Sequence, residues 1–434
     1  MFYLKLFFGF LVIVLLLRIF LYFSSIKPFT HGEKVDFSFI LLTEPTISGK
    51  FQRFSAAFPG KERIFITTPS YPRYFYGQEL HIQGVVKRQK LVPKNRDNVS
   101  TSGVFLLRTE NVINTIFFPK IEAKDISYLS ALGSLRKNLI TIFSSSLSPA
   151  SESLLLGIVF GIRSGMPKDL AGDLSATGVI HITAASGMNV TMVAGAVFFL
   201  LSGFLRRQVA IIVGVLLIWT YALLAGLEPS ILRASIMSSF VFGAGLLGRQ
   251  NTTLIALFFT SCLMLIFDPS LVISAGFLLS CFSTLGIVLF GQVVGIGQSL
   301  VDPLQQRETE SFVSAFRQDV QTTIAAQAGT LPILFIYFGQ YNLLSILVNV
   351  LILWTIPILM ILGSIAAISG LVLRPLATPV LFLTLPLLSY IELVVKVFAK
   401  YPVFLQLQHV SIVFVIGYYC LFFSIYLFFR SKRS

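Results

Sequence analysis

With 434 residues, 55% of them hydrophobic and 12% charged, and a mean hydropathy of +0.84, the chain lies far from the balance of a soluble globular protein and reads as an integral membrane protein. Its 33 Lys and Arg against 19 Asp and Glu leave a formal charge of +14, which attracts phosphate, whether of lipid or of nucleic acid. Cys262, Cys281 and Cys420 each sit in an apolar run, and His31, His81, His181 and His409 stand singly, so neither a disulfide framework nor a metal-ligand spacing is present; a metal-dependent hydrolase is disfavoured and no cofactor is expected.

Residues 2–23 form an apolar run broken by Lys5, Gly9 and Arg18, too long and aromatic for a secretory leader, and 1–26 are expected to be an uncleaved transmembrane anchor. The texture then changes. Across 27–120, short alternating runs such as Val35, Phe37, Phe39 and Leu41 are separated by Pro and Gly, which predicts a small all-β domain, a sandwich or barrel. Residues 121–150 place Leu129, Leu132, Leu135, Leu139, Ile142 and Phe143 near helical spacing, the pattern of an amphipathic helix at the membrane surface. The apolar stretch 154–162 is too short to span and is expected to be re-entrant or packed inside a bundle.

From there to residue 430 a polytopic all-α domain is expected, with spans over 189–204, 209–226, 231–248, 253–267, 271–294, 322–338, 343–371, 378–398 and 411–429; with the anchor these make about ten transmembrane helices. An even number puts both termini on one side. Arg206, Arg207, Arg249, Arg307, Arg317, Arg374 and the basic tail 431–434 then share the cytoplasmic side with the N-terminus, and the β-domain is extracytoplasmic.

Three polar segments stand out. Residues 178–191 put His181, Thr183, Ser186, Gly187, Asn189 and Thr191 into a membrane-like region, where such density is costly unless it lines a cavity or joins helices. Residues 224–237 carry Glu228, Pro229, Ser230 and Arg233, a helix N-terminus suited to phosphate; alternatively Arg233 pairs with Glu228. Residues 268–286 bring Asp268, Phe277, Ser280, Ser283 and Thr284 with Gly276 and Gly286. In the β-domain, Lys50, Arg53, Arg73, Lys87 and Arg88 are interleaved with aromatics including Tyr74, a mixture that suits single-stranded nucleic acid, although barrel aromatics are commonly core.

The motifs resemble those of the ComEC family of bacterial competence proteins. His181-Ile-Thr-Ala-Ala-Ser-Gly-Met-Asn-Val190 is similar to the family's H-L-L-A-x-S-G-L-H-V, and Pro229-Ser230 with Arg233, Ala234 and Met237 to its P-S-x-x-R-A-x-x-M. Asp268-Pro269 with Gly276-Phe277-x-Leu279-Ser280 resembles its D-P and G-F-x-L-S; Leu331-Pro332, Phe338-Gly339, Asn349 and Pro357 fall on its later landmarks, and Tyr76-Gly77 through Leu80, Ile82 and Gly84 resembles a strand of its OB-fold domain. The resemblance implies an OB-like extracytoplasmic domain and an inner-membrane channel for single-stranded DNA in natural transformation. It implies a DNA pathway along His181, Ser186, Gly187, Asn189, Ser230, Arg233, Phe277, Ser280 and Asn349, with membrane lipid around it.

Two departures matter. Asn189 stands where most members have His, which leaves a proton-dependent role there unsupported, and the chain ends without the metallo-β-lactamase-like domain of longer members, so degradation of the second strand is expected from a separate nuclease. With no G-x-x-x-x-G-K-[ST] loop, the driving force is expected from a cytoplasmic motor or strand-binding protein, and a separate DNA receptor is implied; homo-oligomerisation is left open. Two rivals remain: a secondary transporter for a small anion, and an intramembrane hydrolase using Ser186 with His181 as base.

Overall fold

A computed structural model describes residues 2–42, 45–48, 50–58, 60–90, 112–125, 127–163, 165–184, 186–246, 253–294, 312–407 and 411–431. The apolar helix α1 (Phe2–Ser25) leads into seven strands: β1 (Lys34–Ile40), β2 (Thr46–Ser48), β3 (Phe51–Ala56), β4 (Ile64–Pro69), β5 (Gln78–Lys90), β6 (Val112–Phe117) and β7 (Lys120–Asp125). They form one mixed sheet in the order β1-β5-β6-β4-β3-β2, with β7 also on β5.

The long strand β5 organises this sheet. Its first half takes β1 on one side and β7 on the other, and its second half takes β6. The pairings Val86↔Ile116 and Gln83↔Lys120 differ by one residue in register, so β6 and β7 act as one strand bulged at Phe118-Pro119, where Phe118 has φ 51°. Gly84 is required opposite the bulge, because a Cβ there would lie 2.6 Å from Ile116 Cγ2. Alternation does the rest: Ile64, Ile66, Leu80, Ile82, Val86 and Ile116 are fully buried on one face. The small all-β unit expected from the sequence is present. Among the described residues no ladder joins β1 to β2, so the sheet is an open half-barrel.

The helical part comprises α2 (Ser127–Ser144), α3 (Pro149–Phe160), α4 (Lys168–Ala176), α5 (Gly187–Ser202), α6 (Arg207–Ala225), α7 (Pro229–Leu246), α8 (Thr253–Phe267), α9 (Ala275–Val294), α10 (Phe312–Phe338), α11 (Ser345–Leu353), α12 (Thr355–Val372), α13 (Arg374–Ala399) and α14 (Ile412–Ser431). Short strands β8 (Gln340–Asn342) and β9 (Phe404–Gln406) pair with each other. Among the described residues, α6, α7, α12 and α13 are long and apolar enough to cross a membrane; α3, α8 and parts of α1, α9 and α14 are shorter apolar helices. The run 343–371, expected as one span, is two helices parted at Trp354. The run 271–294 begins with a 3-10 turn, Pro269–Ile273, before α9.

α3 is about 18 Å long, too short for a hydrocarbon core of ~30 Å. Every residue from Ser153 to Phe160 is buried. It packs inside, as the short apolar stretch predicted, against Leu139, Ile142 and Phe143 of α2, the 3-10 helix Ile180–Thr183, and residues of α12 and α13. The last part of the α2 stripe, Leu139, Ile142 and Phe143, is therefore covered by protein, while Leu132 and Leu135 are half-buried. Close approach to α12 depends on Gly363, where a Cβ would meet Val159 Cγ2 at 2.6 Å.

The β-unit docks on this bundle through Tyr76. Its hydroxyl donates to the Leu223 carbonyl of α6 at 2.9 Å, the Arg136 guanidinium of α2 lies 4.4 Å from its ring centroid, and Gly133 brings α2 against its backbone. The loop between α6 and α7 therefore faces the β-unit.

Candidate functional site

The polar segment 178–191 is a broken helix. Gly178, at φ 76°, ends the α4 connection; Ile180–Thr183 make one 3-10 turn; the chain is extended at Ala184; and α5 restarts at Gly187. A break in a helical run frees backbone groups that need partners. Ser186 Oγ donates to Asn189 Oδ1 at 3.0 Å across the first turn of α5.

Asn189 turns away from any opening. It is 2% exposed, and its Nδ2 donates to the Ile158 carbonyl at 2.6 Å, while Tyr221 Oη donates to the neighbouring Val159 carbonyl at 2.8 Å. Ile158 and Val159 lie in the last turn of α3, whose carbonyls have no intrahelical donors; Gly161, in a left-handed cap, and Ile162 supply amides to Gly157 and Leu156. Asn189 and Tyr221 are thus the side-chain caps of a buried helix end. Tyr221 carried no distinguishing signal in the sequence beyond being Tyr in a chain rich in Phe.

His181 does the opposite. The residue is exposed, on the single 3-10 turn between α4 and α5. Its Nδ1 lies 3.2 Å from the Gly178 carbonyl and Asn349 is within hydrogen-bonding reach; Asn349 also donates to Thr323 Oγ1 at 3.2 Å. Exposed Arg163 fixes the turn by donating from Nε to the Thr183 carbonyl at 3.2 Å, and stands close enough to act electrostatically on both His181 and Glu228. His181, Asn349, Arg163 and Glu228 thus share one region on the side of the α6–α7 loop. Arg163 was visible in the sequence only as an interruption of an apolar run.

Arg233 is buried at 7% exposure, donates from Nη1 to Thr284 Oγ1, and has no hydrogen-bond partner at Nε among the described residues. Its Nη2 would lie 3.0 Å from a Cβ at Gly187, so that glycine makes room for the guanidinium. Glu228 and Arg233 therefore face different neighbours. Ser230 occupies the first turn of α7, and Ser280 is half-buried, its carbonyl accepting from Thr284. Phe277 is 4% exposed and packs with Met264, Leu265 and Leu271. Of the expected pathway residues, Asn189, Arg233 and Phe277 are packed, whereas His181 is exposed and Asn349 is half-buried. Ser186 and His181 bond different partners.

The family described as "Competence protein" matches residues 158–432, from the last turn of α3 to the end of α14. This chain belongs to that family. Among curated relatives, ComE operon protein 3 of Bacillus subtilis (strain 168) is 27% identical over 219 residues, covering 50% of this chain and 26% of that protein. An uncharacterized protein of Aquifex aeolicus (strain VF5) is 34% identical over 136 residues, 31% of this chain and 32% of its own. YcaI of Escherichia coli (strain K12) is 23% identical over 227 residues, 50% and 29% respectively. The chain thus spans a third or less of each of these relatives. No solved structure matches.

The β-unit lies outside the family match. On its outer face the registers align Arg53, Thr67 and Phe117 in one row and Phe65, Thr115 and Lys87 in the next, with exposed Phe51 and Phe118 5.8 Å apart between centroids. Lys50, Arg53, Arg73 and Lys87 are exposed. Tyr74 is in the core, 8% exposed against Phe54, and Arg88 points to the face opposite Lys87, beside buried Asn114. Period-two geometry separates neighbours that look like one basic patch in the sequence.

Proposed function

We propose that this protein conducts single-stranded DNA across the bacterial cell membrane during DNA uptake. What supports this is membership of the competence family, together with exposed His181 at a helix break and a basic β-unit docked on α6 through Tyr76. A phosphate polymer cannot cross hydrocarbon unaided, and broken helices supply the polar lining that a conduit needs. The strand meets Phe51, Phe65, Phe117 and Phe118, which offer base-stacking faces, and Lys50, Arg53 and Lys87, which track phosphates. It then passes Arg163, His181 and Asn349. In this reading α1 and the apolar helices of the bundle make about ten crossings, both termini are cytoplasmic, and the OB-like β-unit is extracytoplasmic. A receptor, a nuclease and a motor or strand-binding protein are the partners this reading calls for.

The test is DNA uptake by cells carrying His181→Leu or Arg163→Ala. Surface-bound labelled DNA should persist while protected internal label disappears. Uptake equal to the unaltered protein in both variants sinks the proposal, and loss of small-anion flux with normal DNA entry assigns the break to a transporter.

A further inference from the structure

Between α6, α7 and α8 lies an open apolar cavity of about 560 Å³. One stripe of α7, Pro229, Leu232, Ile236, Ser239 and Phe240, forms its floor, and Trp219 of α6 stands in its wall. Trp219 Nε1 donates to Ser239 Oγ at 3.2 Å, so the one polar contact at the deep end is satisfied internally and asks nothing of an occupant. Half-exposed Phe240 and Leu263 border the opening, and Phe267 is 80% exposed. Both α6 and α7 are long and apolar enough to cross a membrane, which suits an apolar slot between them and α8 to hydrocarbon.

Length and charge narrow the occupant. From Pro229 to Phe240 the slot runs about 16 Å along α7, close to the ~15 Å of one leaflet. Its Pro229 end lies beside the α6–α7 loop, which approaches the β-unit at Leu42, so it starts at that interface and stops near mid-membrane. At the same end stands exposed Asp268, an acid whose Oδ1 caps Ser270. We infer that the slot between α6, α7 and α8 holds one acyl chain of a phospholipid from the leaflet on the β-unit side, with an amine-bearing headgroup set against Asp268. This site is independent of the DNA pathway.

Trp219 reports on it, since Trp219 and Trp354 are the two tryptophans. The full chain carrying Trp354→Phe, purified in detergent, is titrated with phosphatidylethanolamine or phosphatidylglycerol brominated midway along the acyl chain. Trp219 fluorescence should be quenched saturably near one lipid per chain, with a half-point lower for the amine lipid by about threefold, the size of an exposed ion pair. Asp268→Asn, which keeps an acceptor for Ser270, should remove that preference, and Ile236→Phe should remove the saturable phase. Quenching without saturation, equal response to both lipids, or saturation unchanged by Ile236→Phe overturns the inference. So does absent quenching with a doubled particle mass, which would mean that a second copy covers the slot.

Discussion

At residue scale, the family signature separates into two kinds of work. Asn189 holds the end of α3, so Asn189→Ala leaves the buried Ile158 carbonyl without its donor and should destabilise the protein by about 1–3 kcal/mol, read as a lowered unfolding midpoint in mild detergent. Asn189→His offers a ring N–H to the same carbonyl and should restore the midpoint. A second prediction concerns Glu33 in the β-unit. Its bonds from Lys61 and from the Thr30 amide hold the carboxyl below the ordinary carboxylate range. The unfolded chain therefore takes up that proton at higher pH than the folded one, and the contribution to stability, full above the ordinary range, is lost as pH falls through the lowered value. Glu33→Gln should flatten that part of the acid-unfolding profile. The polar density at 178–191 was legible in the sequence; that Asn189 points at α3 was not, because the carbonyl it caps is set by tertiary packing.

At the scale of elements, tyrosine hydroxyls repair breaks in helices. Pro332 inside α10 has no amide for the carbonyl of Ala328 four residues before it, and Tyr418 of α14 donates to that carbonyl at 2.7 Å, with Tyr419 on Gly329 at 2.9 Å. Tyr390 and Tyr337 bond the Leu351 and Ile273 carbonyls at the ends of α11 and the 3-10 turn in the same way. Tyr418→Phe should cost about 1–3 kcal/mol, and Pro332→Ala, which supplies the missing amide, should remove most of that cost in the double variant. A cycle showing no coupling between the two positions contradicts this account. Hydropathy located most of the helices within a few residues, since runs this apolar have few alternatives. It missed the division at Trp354, although the signal was present: the ring of Pro357 disfavours a helical carbonyl at Leu353, where α11 ends, and suits the first turn of α12.

For the whole molecule, the joint at Tyr76 holds the β-unit against α2 and α6. A Cβ at Gly133 would lie 2.5 Å from the Tyr76 carbonyl oxygen, so Gly133→Val should force the two apart. The expected outcome is a chain that reaches the membrane in normal amount and leaves DNA bound outside, with internal label at background. Normal entry would mean that the joint is dispensable. The change of texture near residue 34 coincides with the start of β1, but the joint was not legible, since Tyr76, Gly133, Arg136 and Leu223 lie far apart in the chain.

The burial of α3 reaches back to how the protein is made. A segment this short cannot hold itself across a bilayer, and its covering surface includes Gly363 of α12 and Leu388 of α13, about two hundred residues downstream. While the ribosome is still short of Thr355, Leu155 and Val159 have no lid from that side. The nascent chain must keep α3 waiting, against lipid or a helper protein, until α12 and α13 arrive to close over it.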